Sequence, residues 1–413
     1  VLDQAAYTKY RAVQNRADRK LVMDAFFGAM KQFEKTFGST LYGSLKTDSV
    51  NAKVHRYPDV ITARLDRTAV PVAVYDTLIS EADANVGTLQ RYFRLRARLL
   101  GVTDMHYYDI YPPLVKEDVK YSIDDAKRLT LEAVAPLGLD YVAAMKNGFD
   151  HRWMDAYPRP HKLSGAHMNP GAYDVHPYVL TNFNDDYEGV TTVAHEWGHA
   201  MHTVLAEKAQ PFATANYSIF VAEIASTFNE AMLLKHMLDI AKTDDERLLY
   251  LGSALENLRG TFFRQAMFAE FERTVHAEVD QGKSLSGADM TRIYAAILKK
   301  YHGDAVAIDD VDNIEWAYIP HFYNAFYVFQ YATSIAASSL FADSVLNDEP
   351  GAKERYLAML SAGGSQYPYE LVKKAGVDLA SPAPYRSIVA RMNRIMDEIE
   401  AIEAHRSTQA GKP

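Results

Sequence analysis

Apolar residues recur at helical spacing along most of the chain. Over residues 1–37, Leu21, Val22, Phe26, Phe27 and Met30 fall on one side of a helical wheel. Few breakers interrupt them, which predicts one or two helices. Tyr75, Leu78, Leu89, Tyr92 and Leu95 mark a broad apolar face over 72–100, with Gly87 as a point of interruption. The same periodicity predicts helices over 124–137, 141–147, 191–208, 218–241, 244–281, 286–301, 323–346 and 353–361. A short helix is expected near 370–374, and a long amphipathic one over 385–405 before a polar tail. Arg91, Arg94, Arg96 and Arg98 cluster on one of these helices and read as a solvated face.

The pattern changes between Arg152 and Asp186, where Pro158, Pro160, Gly165, Pro170, Gly171 and Pro177 punctuate the chain. Within it, 176–183 is the best strand candidate. No internal repeat and no long linker is visible. The expected fold is mainly α, with one small β-sheet. A helical lobe is expected over 1–150 and a second lobe over 151–413. The stretch 322–342 carries no Asp, Glu, Lys or Arg, but Asn324, Gln330, Thr333 and several Ser and Tyr are mixed through it. It reads as a buried helix of a large core, not a membrane span.

Composition narrows the function. Among 413 residues, 44 Lys and Arg stand against 53 Asp and Glu, for a net charge of -9. No basic block stands out, so nucleic acid is not an expected partner. There is no cysteine, which excludes disulfides and thiolate metal sites. The start, Val1-Leu2-Asp3-Gln4, has no signal-peptide pattern. It reads as a trimmed, processed or fragment terminus, and a cytoplasmic location is expected.

The chemistry concentrates in Thr192-Val193-Ala194-His195-Glu196-Trp197-Gly198-His199-Ala200-Met201-His202, which contains HExxH. Two histidines four residues apart lie one above the other on a helix, so both imidazoles can reach one zinc ion. Glu196 sits beside them, placed to take a proton from an attacking water. Zinc requires a third protein ligand. His202 is about 10.5 Å along the helix axis from His195 at 1.5 Å rise per residue, too far to share the ion. Glu223 and Glu230 share a face of the next helix, and spacing alone does not choose between them; the other could orient a histidine. A di-iron bundle would need a second Glu-x-x-His, and no other histidine supplies one.

A third feature is His321-Phe322-Tyr323-Asn324-Ala325-Phe326-Tyr327-Val328-Phe329-Gln330-Tyr331. Tyr323, Tyr327 and Tyr331 recur every four residues, so a helix would stack them on one face. Tyrosine hydroxyls near a zinc can donate to an oxyanion. On spacing alone, an aromatic core stripe is the better reading of the pattern.

These segments together resemble one family. HEWGHAMH, FVAEIASTFNEAML and IPHFYNAFYVFQYAT look like the thimet-oligopeptidase/oligoendopeptidase F family of zinc metallopeptidases, with oligoendopeptidase F the nearer branch. Tyr107-Tyr108-Asp109-Ile110-Tyr111, the SGAH and PYVLTNF segments and Gly363-Gly364-Ser365 extend the resemblance over nearly the whole chain. The resemblance implies a helical fold with a deep cleft that admits short peptides. It implies His195, His199 and Glu223 as zinc ligands and Glu196 as general base. His321, Tyr323 and Tyr327 would act on the oxyanion and substrate, with Tyr331 as a further substrate contact. The strand carrying Tyr178, Val179 and Leu180 would offer its backbone edge to an extended peptide. The family's additional N-terminal helical region is not in this chain and would be a missing segment of the same protein. The implied activity is an endopeptidase acting on short peptides. The alternatives are a zinc carboxypeptidase or dipeptidase, and a non-catalytic peptide-binding fragment.

Overall fold

Polar residues at the starts of the helices set their boundaries. Asn15 accepts the N–H groups of Ala17 and Asp18 to begin Arg16–Gln32. Ser122, Thr243 and Ser286 form capping boxes at Ile123–Ala133, Asp244–Leu258 and Gly287–His302. The structure is a computed structural model that describes residues 2–114 and 119–410. It is mainly α, as the periodicity predicts, with one three-stranded sheet.

Several elements differ from the sequence expectation. The face over 72–100 is two helices, Val72–Ala84 and Val86–Leu100, parted at Asn85. The predicted helix over 244–281 is broken by a π-turn at Arg259–Phe263. The helix expected from 323 begins only at Phe329, because Phe326 has a φ of 55° and ends any helical continuation. The arginine cluster is not one solvated face. Arg96 is buried and donates to the Asp109 carbonyl and the Tyr92 hydroxyl, while Arg91 binds Asn393, Asp397 and Glu400.

The proline-rich segment forms the sheet: β1 (Met154–Asp155), β2 (His167–Asn169) and β3 (Tyr178–Leu180). Their order is β1-β3-β2, with β3 parallel to β1 and antiparallel to β2. This corrects the expectation for Tyr178, Val179 and Leu180. The strand that holds them is central, and both of its edges are already paired. It has no free backbone edge to offer a peptide, and Val179 is buried beneath it. The free edges of the sheet belong to β1 and β2.

Helix Ile219–Ile240 lies between the motif helix Tyr187–Ala209 and the core helix Phe329–Leu346, and packs extensively on both. One continuous buried core runs from Tyr7 to Ile399. Polar ties fasten the N-terminal helices to it. The buried Asp109 pairs with Arg16 at 2.9 Å and Arg19 at 2.7 Å, and Tyr107 donates to the buried Glu315 at 2.7 Å. The helical part of the 322–342 stretch, from Phe329 on, lies in this core, whereas Tyr323 and Asn324 before it are exposed, and no helix among the described residues is long and apolar enough to cross a membrane.

Candidate metal centre

The motif helix presents His195 and His199 on one face, one turn apart, with ring centroids 4.9 Å from each other. Whether a third ligand reaches them depends on the neighbouring helix. Gly198, between the two histidines, makes the close approach possible. A Cβ there would stand 2.5 Å from the Ala225 carbonyl oxygen and 2.6 Å from the Ser226 Cα. The backbone of Ile219–Ile240 therefore occupies the space a side chain would need. Asn229 ties the same helices by donating to the Ala194 carbonyl at 3.1 Å.

This contact carries Glu223 to the histidines. Its Oε2 is 3.5 Å from Nε2 of His195 and 3.5 Å from Nε2 of His199. One ligand atom from each of the three residues lies within 4.8 Å of the others. Two imidazole nitrogens and one carboxylate are the donor set of a catalytic zinc site with one position left open. Glu230, the other candidate, lies behind His195, its Oε1 2.5 Å from Nδ1. Asn257 donates to the other oxygen of Glu230. That bond fixes the ring of His195 and leaves Nε2 facing Glu223, the carboxylate–histidine arrangement that orients metal ligands.

The electrostatics agree with a cation-seeking site. Burial pushes the Glu223 carboxyl up, but His199, His195 and the Ser226 hydroxyl outweigh it and hold the group at about 2. Burial pushes His195 down, but Glu230, Glu223 and Glu196 outweigh it and raise it to about 9. A proton and a cation would thus compete for Nε2 of His195. Glu196 is different. It is buried, and its Oε2 has no hydrogen-bond partner among the described residues. Burial raises its carboxyl, with a smaller contribution from Glu223, against the pull of His195, His199 and His167.

The three candidate ligands and Glu196 line a pocket of about 460 Å³, walled also by β2 residues His167 and Met168 and by Asn216, Tyr217 and Ile219. His202 is not part of it. Its buried ring stacks on Tyr217 at 3.5 Å, as its distance along the helix predicts.

The aromatic segment departs from its expected geometry. Because the helix starts only at Phe329, Tyr323, Tyr327 and Tyr331 do not share one helix face. The His321 ring lies 5.8 Å from Tyr327 and 6.2 Å from Tyr331, and the two tyrosine rings are 5.7 Å apart. Tyr323 stands outside this cluster, 46% exposed, with its hydroxyl 2.8 Å from Thr40 Oγ1. Tyr331 is the member whose hydroxyl senses Glu223: burial and Tyr327 raise it first, and the Glu223 charge adds to the shift.

Sequence reasoning gave no role to three residues of this site. His167 lies inside the SGAH segment, which marked its neighbourhood but not its place on β2. Asn257 carries no local signal, since it acts through Glu230 from another helix. Tyr217 falls in the turn before Ile219–Ile240, where spacing says nothing about what it covers.

A helical fold with an HExxH helix, a third carboxylate from the next helix and a carboxyl beside them defines a metallopeptidase-type centre. The model of Peptidase family M3 matches residues 10–390, and the chain belongs to that family. It is 39% identical over 390 residues to the oligopeptidase PepF of Bacillus subtilis, covering 94% of this chain and 58% of that protein. It is 34% identical over 401 residues to the chromosomal oligoendopeptidase F of Lactococcus lactis subsp. cremoris, covering 97% of this chain and 66% of that one. Among solved structures, a putative peptidase from Chlamydophila abortus superposes with a TM-score of 0.90 at 36% identity, over 97% of this chain and 67% of its own. Oligoendopeptidase-F from Enterococcus faecium gives 0.79 at 32% identity, over 98% and 66%. The chain spans 58% of the Bacillus relative and 61% of a Streptococcus agalactiae one, the group B oligopeptidase PepB.

Proposed function

We propose that the chain carries the catalytic centre of a zinc-dependent endopeptidase that hydrolyses internal bonds of short peptides. The observation that carries this reading is the convergence of His195, His199 and Glu223 within 4.8 Å, beside a buried carboxyl oxygen of Glu196 that has no hydrogen-bond partner among the described residues. His195, His199 and Glu223 would hold the ion, which when bound supplies Lewis-acid polarisation and makes water a nucleophile at neutral pH.

The protein's own groups do the rest. Glu196 accepts the proton of the attacking water and returns it to the leaving amine. Its raised affinity for a proton suits both halves of that transfer. Tyr331, Tyr327 and His321 donate to the oxyanion that develops on the scissile carbonyl. The outer edge of β2 accepts the peptide backbone, since β2 walls the pocket and its far side is unpaired within the sheet. Tyr323 lies outside the aromatic cluster and is assigned to the substrate path, not to the oxyanion. The substrate cleft would open over the pocket that His195, Glu196, His199 and Glu223 line. A segment of the same protein absent from this chain would complete the cleft wall.

The test is cleavage of an internally quenched short peptide by protein of known zinc content, with products mapped on a ladder of lengths. Chelator-sensitive cleavage at internal bonds, lost in Glu196→Gln with zinc retained, supports the reading. Cuts always at a fixed distance from one terminus would mean an exopeptidase. Peptide affinity without cleavage in the zinc-loaded chain would mean a binding fragment.

A further inference from the structure

The segment between His321 and Tyr331 is held by two side chains that the proposed reaction does not use. Arg64, on the helix Val60–Asp66, donates through Nε to the Ala325 carbonyl at 3.1 Å and through Nη2 to Asn324 Oδ1 at 2.7 Å. Glu272, on the helix Arg264–Asp280, accepts the Phe326 N–H at 2.6 Å through Oε1. The Ala325 carbonyl and the Phe326 N–H belong to the same peptide group. It is gripped on one side by a guanidinium and on the other by a carboxyl, from helices that lie far apart in sequence.

The grip works against local preference. The apolar pattern from 323 onward favours a helix, yet Phe326 sits at a φ of 55°, in the left-handed region that side-chain-bearing residues avoid. Its ring is buried between His276, at 4.7 Å, and Tyr75, at 5.4 Å. The break delays the helix to Phe329 and turns His321 back against Tyr327 and Tyr331. A continuous helix would put all three tyrosines on one face, with His321 leading away from Tyr327.

We propose that Arg64 and Glu272 are positioning residues for the His321–Tyr327–Tyr331 cluster, acting by clamping the 325–326 peptide group. The inference rests on the peptidase reading for what the cluster does, but not for how it is held. Glu272 is buried, with Oε2 unpartnered among the described residues. Burial raises its carboxyl to about 8, against the Phe326 N–H, Arg64 and Tyr75, with Asp48 adding to the rise. Charged or neutral, it accepts the N–H through one carboxyl oxygen. Glutamine keeps that oxygen; leucine removes it.

The experiment compares Glu272→Gln, Glu272→Leu and Arg64→Met with the wild type. A misplacement of about 1 Å in catalytic groups costs up to about 100-fold. Glu272→Leu is expected to lower kcat by about 10- to 100-fold, with KM within about twofold and zinc content unchanged. Arg64→Met should act in the same direction, and Glu272→Gln should stay within about twofold of wild type. Amide hydrogen exchange over 319–331 should quicken in the leucine and methionine variants and not in the glutamine one. Unchanged exchange in both would overturn the clamp. Quickened exchange with wild-type kcat would overturn the positioning role. Equal loss in the glutamine and leucine variants would do the same, since the carbonyl oxygen would then not be what matters. If Glu272→Leu does not fold, Arg64→Met carries the same comparison. If the wild type cleaves nothing, the peptidase reading falls and the exchange comparison still decides whether the clamp sets the loop.

Discussion

Gly198 should tolerate no side chain, because its missing Cβ is what lets Glu223 reach the histidines. In Gly198→Ala the new methyl would stand 2.5 Å from the Ala225 oxygen and 2.8 Å from the Ala225 carbonyl carbon. These are backbone atoms of a buried helix and cannot swing aside. Restoring an ordinary contact of 3.4 Å requires the two helices to part by about 1 Å. Zinc sites tolerate about 0.2 Å in ligand distance, so that displacement takes Glu223 away from the shared position. Overpacking of this kind costs about 1–3 kcal/mol. If the cost falls on the metal site, it corresponds to roughly 5- to 150-fold in zinc affinity at about 1.4 kcal/mol per tenfold. Competition with a chromophoric chelator measures the affinity, and thermal unfolding shows whether the cost falls on folding instead. Gly28→Ala is the control: it lies inside the helix Arg16–Gln32 with nothing within 4 Å of the new Cβ. It should stabilise by about 0.5–1 kcal/mol. A Gly198→Ala protein with wild-type zinc affinity and an unchanged unfolding temperature would refute the argument.

Other consequences are testable with the same protein. Glu230→Ala releases the ring of His195 and should lower zinc affinity by about 10- to 100-fold, read by the same competition. Tyr331→Phe should lower kcat by about 100-fold or more if its hydroxyl donates to the oxyanion, whereas Tyr323→Phe, outside the cluster, should change kcat by less than about threefold. Burial holds His202 and His276 down to about 3 and His302 to about 4, against 6.5 ordinarily. Between those values the unfolded chain binds protons that the folded one does not. The stability they contribute is therefore full above about 6.5 and is lost as pH falls toward 4. Urea midpoints between pH 7 and 4.5 should fall accordingly, and His302→Gln should flatten the fall; an identical slope in that variant would show that His302 does not carry its share.

Sequence and tertiary structure divided the problem along a physical line. Most of the helices were legible because burial of one face imposes a 3.6-residue period; Glu34–Val54 and Val60–Asp66 were not read from it, and only some starts, as at Asn15, Ser122, Thr243 and Ser286, carry a capping side chain. The pair His195 and His199 was legible for the same reason: four residues on a helix is a local geometry, and HExxH states it completely. His202 was likewise excluded by rise per residue alone. Between Glu223 and Glu230 the spacing was silent, since both lie on the same face. Only the packing of two helices, brought together at Gly198, sets one against the Nε2 atoms and the other against Nδ1.

The errors have the same origin. The segment 176–183 shows strand chemistry, but which edge stays free depends on which strands flank it, and β1 and β2 take both sides of β3. The tyrosine spacing announces a helix that Glu272 and Arg64 prevent, from positions about 50 and 260 residues away in the chain. Arg96 reads as a surface charge until the Asp109 carbonyl and the Tyr92 hydroxyl close over it. What the chain determines by itself is whatever depends on neighbours within a few residues: helix periods, caps and the two-histidine motif. What the tertiary structure decides is every contact between groups remote in sequence, because hydrogen bonds and close packing depend on distances in space that local spacing does not encode.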